Sequence, residues 1–170
     1  DGIPAILKRF RQSVLAAAVS GRLTEEWRKD KTNLIENDLT KYSTKKFGAV
    51  SNNEYFDETP PSWNWIKLGA IVHLIIGDRG NNYPNKSEYV ENGIPFINTG
   101  HIEPNGSLSV ARMNYISEDK FNTLGSGKIA KNDIVYCLRG ATMGKTAIVN
   151  PLEKGAIASS LVIVRAKECI

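Results

Sequence analysis

Cysteine and histidine are both scarce. Cys137 and Cys169 form no CxxC pair, and Cys137 sits inside an apolar run. Neither a disulfide framework nor a zinc site is built that way, so both thiols are expected reduced and structural, as suits a cytoplasmic protein. His73 lies in an apolar stretch and His101 in a turn-rich one, with no Cys or His at ligand spacing; no metal and no cofactor are expected. Long apolar runs are missing too. None approaches the roughly 20 residues needed to cross a bilayer, which speaks against a membrane partner. The chain opens Asp1-Gly2-Ile3-Pro4, without Met or a signal-peptide pattern, and reads as a fragment of something longer. An excess of charge of one sign is also lacking. The net charge is +4, and from Trp63 onward 12 Lys and Arg against 9 Asp and Glu leave +3. That permits a polyanionic partner without demanding one.

What is present begins with residues 133–149. Ile134 to Leu138 has the β-branched and aromatic content of a buried strand, and Thr146 to Val149 reads as a second one. Between them a glycine-flanked loop carries Arg139, Thr142 and Lys145. It resembles a nucleotide phosphate loop and departs from it twice. Three residues rather than four separate Gly140 from Gly144, and the residues after Lys145 suit a strand instead of the helix whose amides would hold phosphate.

Upstream, residues 3–20 carry Ile3, Ile6, Leu7, Phe10, Val14, Ala17 and Ala18 at the 3–4 spacing of a helix face. Pro4 fits a first turn, and Gly21 sits where a left-handed residue ends a helix. Either this helix lies on its own domain, or it forms a coiled-coil or partner-docking element, since Ile3, Ile6, Phe10 and Ala17 fit a heptad seam. Thr24 is placed to cap a short second helix through Arg28. Residues 29–59 are polar and read as a linker, ended by Pro60-Pro61. From Trp63 the pattern turns to strands and turns: a strand over 70–76, a loop over 77–86, a strand and turn over 93–102, a hairpin signal at Asn105-Gly106, a short helix capped by Ser117, and a buried strand over 156–166. This is an α/β or α+β domain with a mixed, curved sheet.

Catalytic constellations do not assemble. No Asn/Asp-Pro-Pro-aromatic loop of an amino-methyltransferase is present, and Glu118-Asp119-Lys120 opens a helix, where acidic residues belong anyway. The pattern is that of a binding module.

The run from Ile3 to Arg28 closely resembles the end of the conserved helical region of type I restriction–modification specificity subunits. The rest resembles one of their target recognition domains, on the markers Pro61-Ser62-Trp63-Asn64-Trp65-Ile66-Lys67-Leu68-Gly69, Gly93-Ile94-Pro95-Phe96-Ile97, Tyr115-Ile116-Ser117 and the 133–149 stretch with Asp133. The resemblance covers 3–28 and 60–166. It implies a spacer helix and turn (1–28), a linker (29–62) and a recognition domain incomplete at its C-terminal end (63–170). It also implies a non-catalytic subunit that reads half of a split double-stranded DNA sequence and docks methylation and restriction subunits. Partner-docking positions would be Ile6, Leu7, Phe10, Val14, Ala17 and Ala18. Base readers would come from loops in the major groove, where Arg pairs with guanine and Asn with adenine. These are Arg79, Asn81, Asn82 and Tyr83 in the first loop, Asn98, Thr99 and His101 in the second, and Arg139 and Thr142 in the third. Lys86, Lys128 and Lys145 are assigned to phosphates. Arg139 directly follows an apolar run, so it either faces DNA or turns inward to an ion pair. Two rivals stand beside DNA reading: a docking scaffold centred on the helix, and a phosphate-binding enzyme using 140–146.

Overall fold

The computed structural model describes residues 2–29, 59–63 and 65–167. Most of the expected linker therefore lies outside the described residues, as does Cys169. Contacts within the chain define two compact units, Asp1–Ala70 and Ile71–Ile170.

In the first unit the apolar 3–4 periodicity produces α1 (Ile3–Val19), with Pro4 in its first turn. None of its residues is buried; Ile6, Leu7, Phe10 and Leu15 are each more than half exposed. Gly21 has φ 76°, as the helix-end reading requires. A 3-10 turn at Arg22–Thr24 leads into α2 (Glu25–Lys29). The Thr24 hydroxyl accepts from the Arg28 guanidinium, which also donates to the Gly21 carbonyl and lies over Trp63.

Helix α3 (Leu68–Ile71) precedes β1 (Val72–Ile76). The strand expected from Ala70 thus starts two residues later, because the Ala70 amide turns back to the Lys67 carbonyl. Next come β2 (Tyr89–Val90), β3 (Ile94–Ile97), β4 (Asn114–Ile116), α4 (Glu118–Thr123), β5 (Ile134–Cys137), β6 (Thr146–Ile148), β7 (Ala156–Ile157) and β8 (Leu161–Ala166). They form two sheets instead of one, ordered β1-β8-β5-β6 and β2-β4-β3-β7. Only the β3–β7 pairing among these is parallel. The single strand expected over 156–166 is two strands in different sheets. Ala158 leaves the run to donate to the Ile97 carbonyl, and the Leu161 amide turns back onto Ala158 across two serines.

Side-chain alternation sets the layers. Val135, Cys137, Ala147, Leu161 and Ile163 face inward from the first sheet and meet Ile97 and Ile157 from the second. The neighbours Phe96 and Ala156 point the other way and pack with Phe121 of α4, with Leu124 just after it and with Tyr83. The second sheet is therefore the middle layer. Ser117 caps α4 by accepting from the Lys120 amide, as expected. The outer face of the first sheet is apolar and open: cross-strand partners align Leu74, Val164, Ile134 and Ile148 in one row, and Leu74 is 59% exposed.

One charged pair closes the far end of this sheet. The Asp133 side chain is 2% exposed, and both its oxygens accept from Arg165 at 2.8 Å. Asp133 also accepts from the Ala130 amide, and Arg165 donates to the Lys128 carbonyl. The inward-turned arginine is Arg165, while Arg139 is exposed. Arg165→Met leaves the buried carboxylate unpaired and should destabilise the fold by about 3 kcal/mol. A urea denaturation midpoint checks this, with Arg165→Lys expected to recover part of the loss.

Candidate nucleic-acid interface

The topology carries all three sequence-predicted loops to one end of the sheets. The first loop follows β1, the second β3, the third β5. Strand ends Ile76 and Cys137 pair with Val162 and Leu161 at the start of β8, and Ile97 pairs with Ile157 of β7. The turn at 158–160, which joins β7 to β8, lies among them. Its Ala158 amide donates to the Ile97 carbonyl at 2.7 Å, and its Ser160 carbonyl accepts from Leu138 at 3.0 Å. Gly77 packs so tightly that a Cβ there would stand 2.5 Å from the Ala158 oxygen. Only glycine permits that approach.

The first loop is fastened along α4. Asp78 accepts from Gly80 within the loop at 2.8 Å and from Gly125 beyond α4 at 2.7 Å. These two amides, followed by that of Arg79, hold its carboxyl below the usual aspartate range. The Asn82 amide group donates to the Thr123 carbonyl at 2.9 Å. Lys120 reaches Glu88 at 2.7 Å, and Lys120 followed by the Asn85 amide lowers the Glu88 pKa. The Tyr83 ring meets Phe96 edge-on at 5.8 Å. Of the expected readers here, Arg79, Asn81 and Asn82 stand exposed with Lys86, and Tyr83 is half-buried. Asn82 and Tyr83 are engaged in holding the loop.

In the second loop, a 3-10 turn at Thr99–His101, the side chain of Asn98 accepts from Gly100 at 2.8 Å, and the Asn98 amide donates to His101 Nδ1 at 3.0 Å. His101 is only 4% exposed. A direct reading role for it meets a physical obstacle: the ring lies in the interior and one nitrogen is taken. Burial, the largest influence, lowers its pKa; a hydrogen bond to the Arg112 backbone opposes this, and the Arg112 charge adds to the lowering.

The third loop is a hairpin extension. Cys137 and Lys145 continue the β5–β6 pairing, and Gly140 and Gly144 take φ values of 94° and 92°. A Cβ at either glycine would meet nothing within 4 Å, so these residues serve conformation alone. The buried Cys137 thiol donates to the Arg139 carbonyl at 3.2 Å and lies 3.7 Å from the Thr142 hydroxyl. Lys145 donates to the Ile102 carbonyl at 3.4 Å, tying this loop to the second. A strand follows Lys145 where a phosphate loop needs a helix. Lys128 lies over Phe121 and donates to the Asn122 carbonyl. Ion pairs among the described residues include none of Arg79, Lys86, Arg139 or Lys145. Among the described residues no His, Cys, Asp and Glu cluster could hold a metal. Sequence reasoning passed over Asp78, although Asp-x-Gly is a known signal for a side-chain-closed turn.

No family model matches the chain. It is 31% identical over 105 residues to the EcoDI type I restriction enzyme specificity subunit of Escherichia coli, covering 62% of this chain and 20% of that protein. It is 34% identical over 151 residues to the EcoBI specificity subunit of Escherichia coli, covering 88% of this chain and 28% of that protein. A stretch of 28 residues is 73% identical to the EcoKI specificity subunit of Escherichia coli strain K12, covering 16% of this chain and 6% of that one. The chain thus spans less than a third of the curated relatives it matches. Its fold is similar to that of the HsdS subunit from Thermoanaerobacter tengcongensis, with a TM-score of 0.50 at 21% identity over 98% of this chain and 35% of that one. A chain from a type I R-M system solved for its complex assembly and conformational transition gives 0.51 at 20% identity, covering 98% of this chain and 37% of that one.

The state of His101 makes a pH prediction. Below its ordinary value of 6.5 the unfolded chain takes up a proton that the folded chain resists. The unfolded state then binds more protons, so stability falls as pH drops below about 6.5 and levels off beneath the folded pKa. Thermal unfolding between pH 7.5 and 5 should show this slope, reduced in His101→Asn, whose side-chain oxygen can still accept from Asn98. Equal slopes in both proteins would remove His101 from the account.

Proposed function

We propose that this chain, a partial relative of the type I restriction enzyme specificity subunits, reads part of a DNA sequence through the end of the domain where its three loops meet. The observation that carries this reading is the convergence of those loops on the 158–160 turn, with Arg79, Lys86 and Arg139 exposed and outside the ion pairs there. Cations without local partners are what phosphates and guanine edges attract. Arg79, Asn81, Arg139 and Thr142 are assigned to bases, and Lys86 and Lys145 to phosphates. Asn98 and Thr99 keep a place at the edge of the second loop, and His101, Asn82 and Tyr83 act by holding their loops. Lys128 is a lesser candidate for phosphate. The chain needs no cofactor for this, and the chemistry on DNA belongs to partner subunits.

The test uses the intact subunit with its methylation subunit and duplexes carrying the host's own methylated split motif. Arg79→Ala and Arg139→Ala should each cost about 1–3 kcal/mol on that motif. Lys86→Ala should weaken all duplexes alike and reduce the salt slope by about 1. Equal affinity for motif and scrambled duplexes across salt concentrations would refute sequence reading.

We assign α1 to docking of the methylation and restriction subunits, supported by the exposure of Ile6, Leu7, Phe10 and Val14 and by the small Ala17 and Ala18. Phe10→Asp should abolish assembly with the methylation subunit by size exclusion while leaving the melting temperature of the free chain unchanged.

A further inference from the structure

We propose that Asp78 is a positioning residue for base reading: it holds the exposed tip of the first loop, Arg79 to Asn81, in a fixed pose by tying that tip to the segment after α4. This rests on the reading of the loop end as the DNA-facing surface. The two Asp78 oxygens do different things. Oδ1 accepts from Gly80 and closes a turn inside the loop, and Oδ2 accepts from Gly125, 47 residues away. Two more bonds join these parts: Asn82 donates to the carbonyl of Thr123, the last residue of α4, and the Ser126 hydroxyl donates to the carbonyl of Ile76, where the loop leaves β1. Gly127 sits where a Cβ would stand 2.8 Å from the Gly77 Cα, so the backbones themselves touch. A loop held at its root, tip and flank presents Arg79 and Asn81 with little freedom left to lose. Binding then requires less ordering of the reader side chains, which favours the base-pair geometry that needs two aligned hydrogen bonds. Asp78 itself is directed at backbone amides and is no acceptor for DNA.

Asp78→Asn separates the two roles. Its one carbonyl can accept from Gly80 or Gly125 but not from both, and its NH2 opposes the amide left over. In the intact subunit with its methylation subunit, Asp78→Asn and the independent variant Asn82→Ala should each lower the ratio of motif to scrambled-duplex affinity by about tenfold. Affinity for scrambled DNA should stay within about twofold, because the phosphate contacts remain. Arg79→Ala should then cost much less in the Asp78→Asn background than in wild type, the coupling expected of a group acting through another. Hydrogen exchange at Gly80 and Gly125 should quicken in Asp78→Asn without DNA. Undiminished discrimination in both variants, equal losses on motif and scrambled duplexes, or strict additivity with Arg79→Ala would overturn the proposal. A wild-type subunit that does not discriminate would overturn the functional reading, and this inference with it.

Discussion

Everything at the loop end depends on a backbone contact, the seating of the 158–160 turn against three other chain segments. The turn meets Gly77 at the root of the first loop, Ile97 at the root of the second and Leu138 at the root of the third. Main-chain atoms make all three contacts, two of them hydrogen bonds, so they are indifferent to the side chains carried further out on the loops. A buried amide or carbonyl left without a partner costs about 1–3 kcal/mol, which makes the arrangement hard to vary piecemeal. The same turn also separates β7 from β8 and so divides the strands between two sheets. The layer order and the loop cluster are consequences of one crossing point.

Local chemistry was legible in the residues where the forces are local. The 3–4 spacing over 3–20 produces α1, Ser117 caps α4, and the apolar runs around 140–144 become β5 and β6 with a loop between. Interactions between distant residues were not. Nothing near Ala158 announces that it will donate to Ile97, so the 156–166 run reads as one strand. Asn82 and Tyr83 look like loop tips until Thr123 and Phe96 are brought beside them. His101 lies in a turn by sequence and in the interior by structure, because Ile102 and Leu108 pull its neighbourhood into the core. Arg139 and Arg165 both adjoin apolar runs; only the register of β8 with β5 puts Arg165 beside Asp133.

Electrostatics at this end follow the same division. Its carboxylates are satisfied close by: Asp78 by backbone amides, Glu88 by Lys120, Glu103 by Arg112. That leaves Arg79 and Arg139 outside the ion pairs among the described residues.

The free glycines of the third loop carry a consequence for how such a domain changes over generations. Around Gly140 and Gly144 the surroundings are open, and Met143 between them is 68% exposed. Substitutions at Ala141 or Met143 disturb no packing, whereas a change at Asp78, Asn82 or Tyr83 breaks a contact that holds the first loop. Mutational tolerance is therefore unequal around one surface. Side chains can change at least cost to stability in the third loop, while the first is held by contacts that such changes would break.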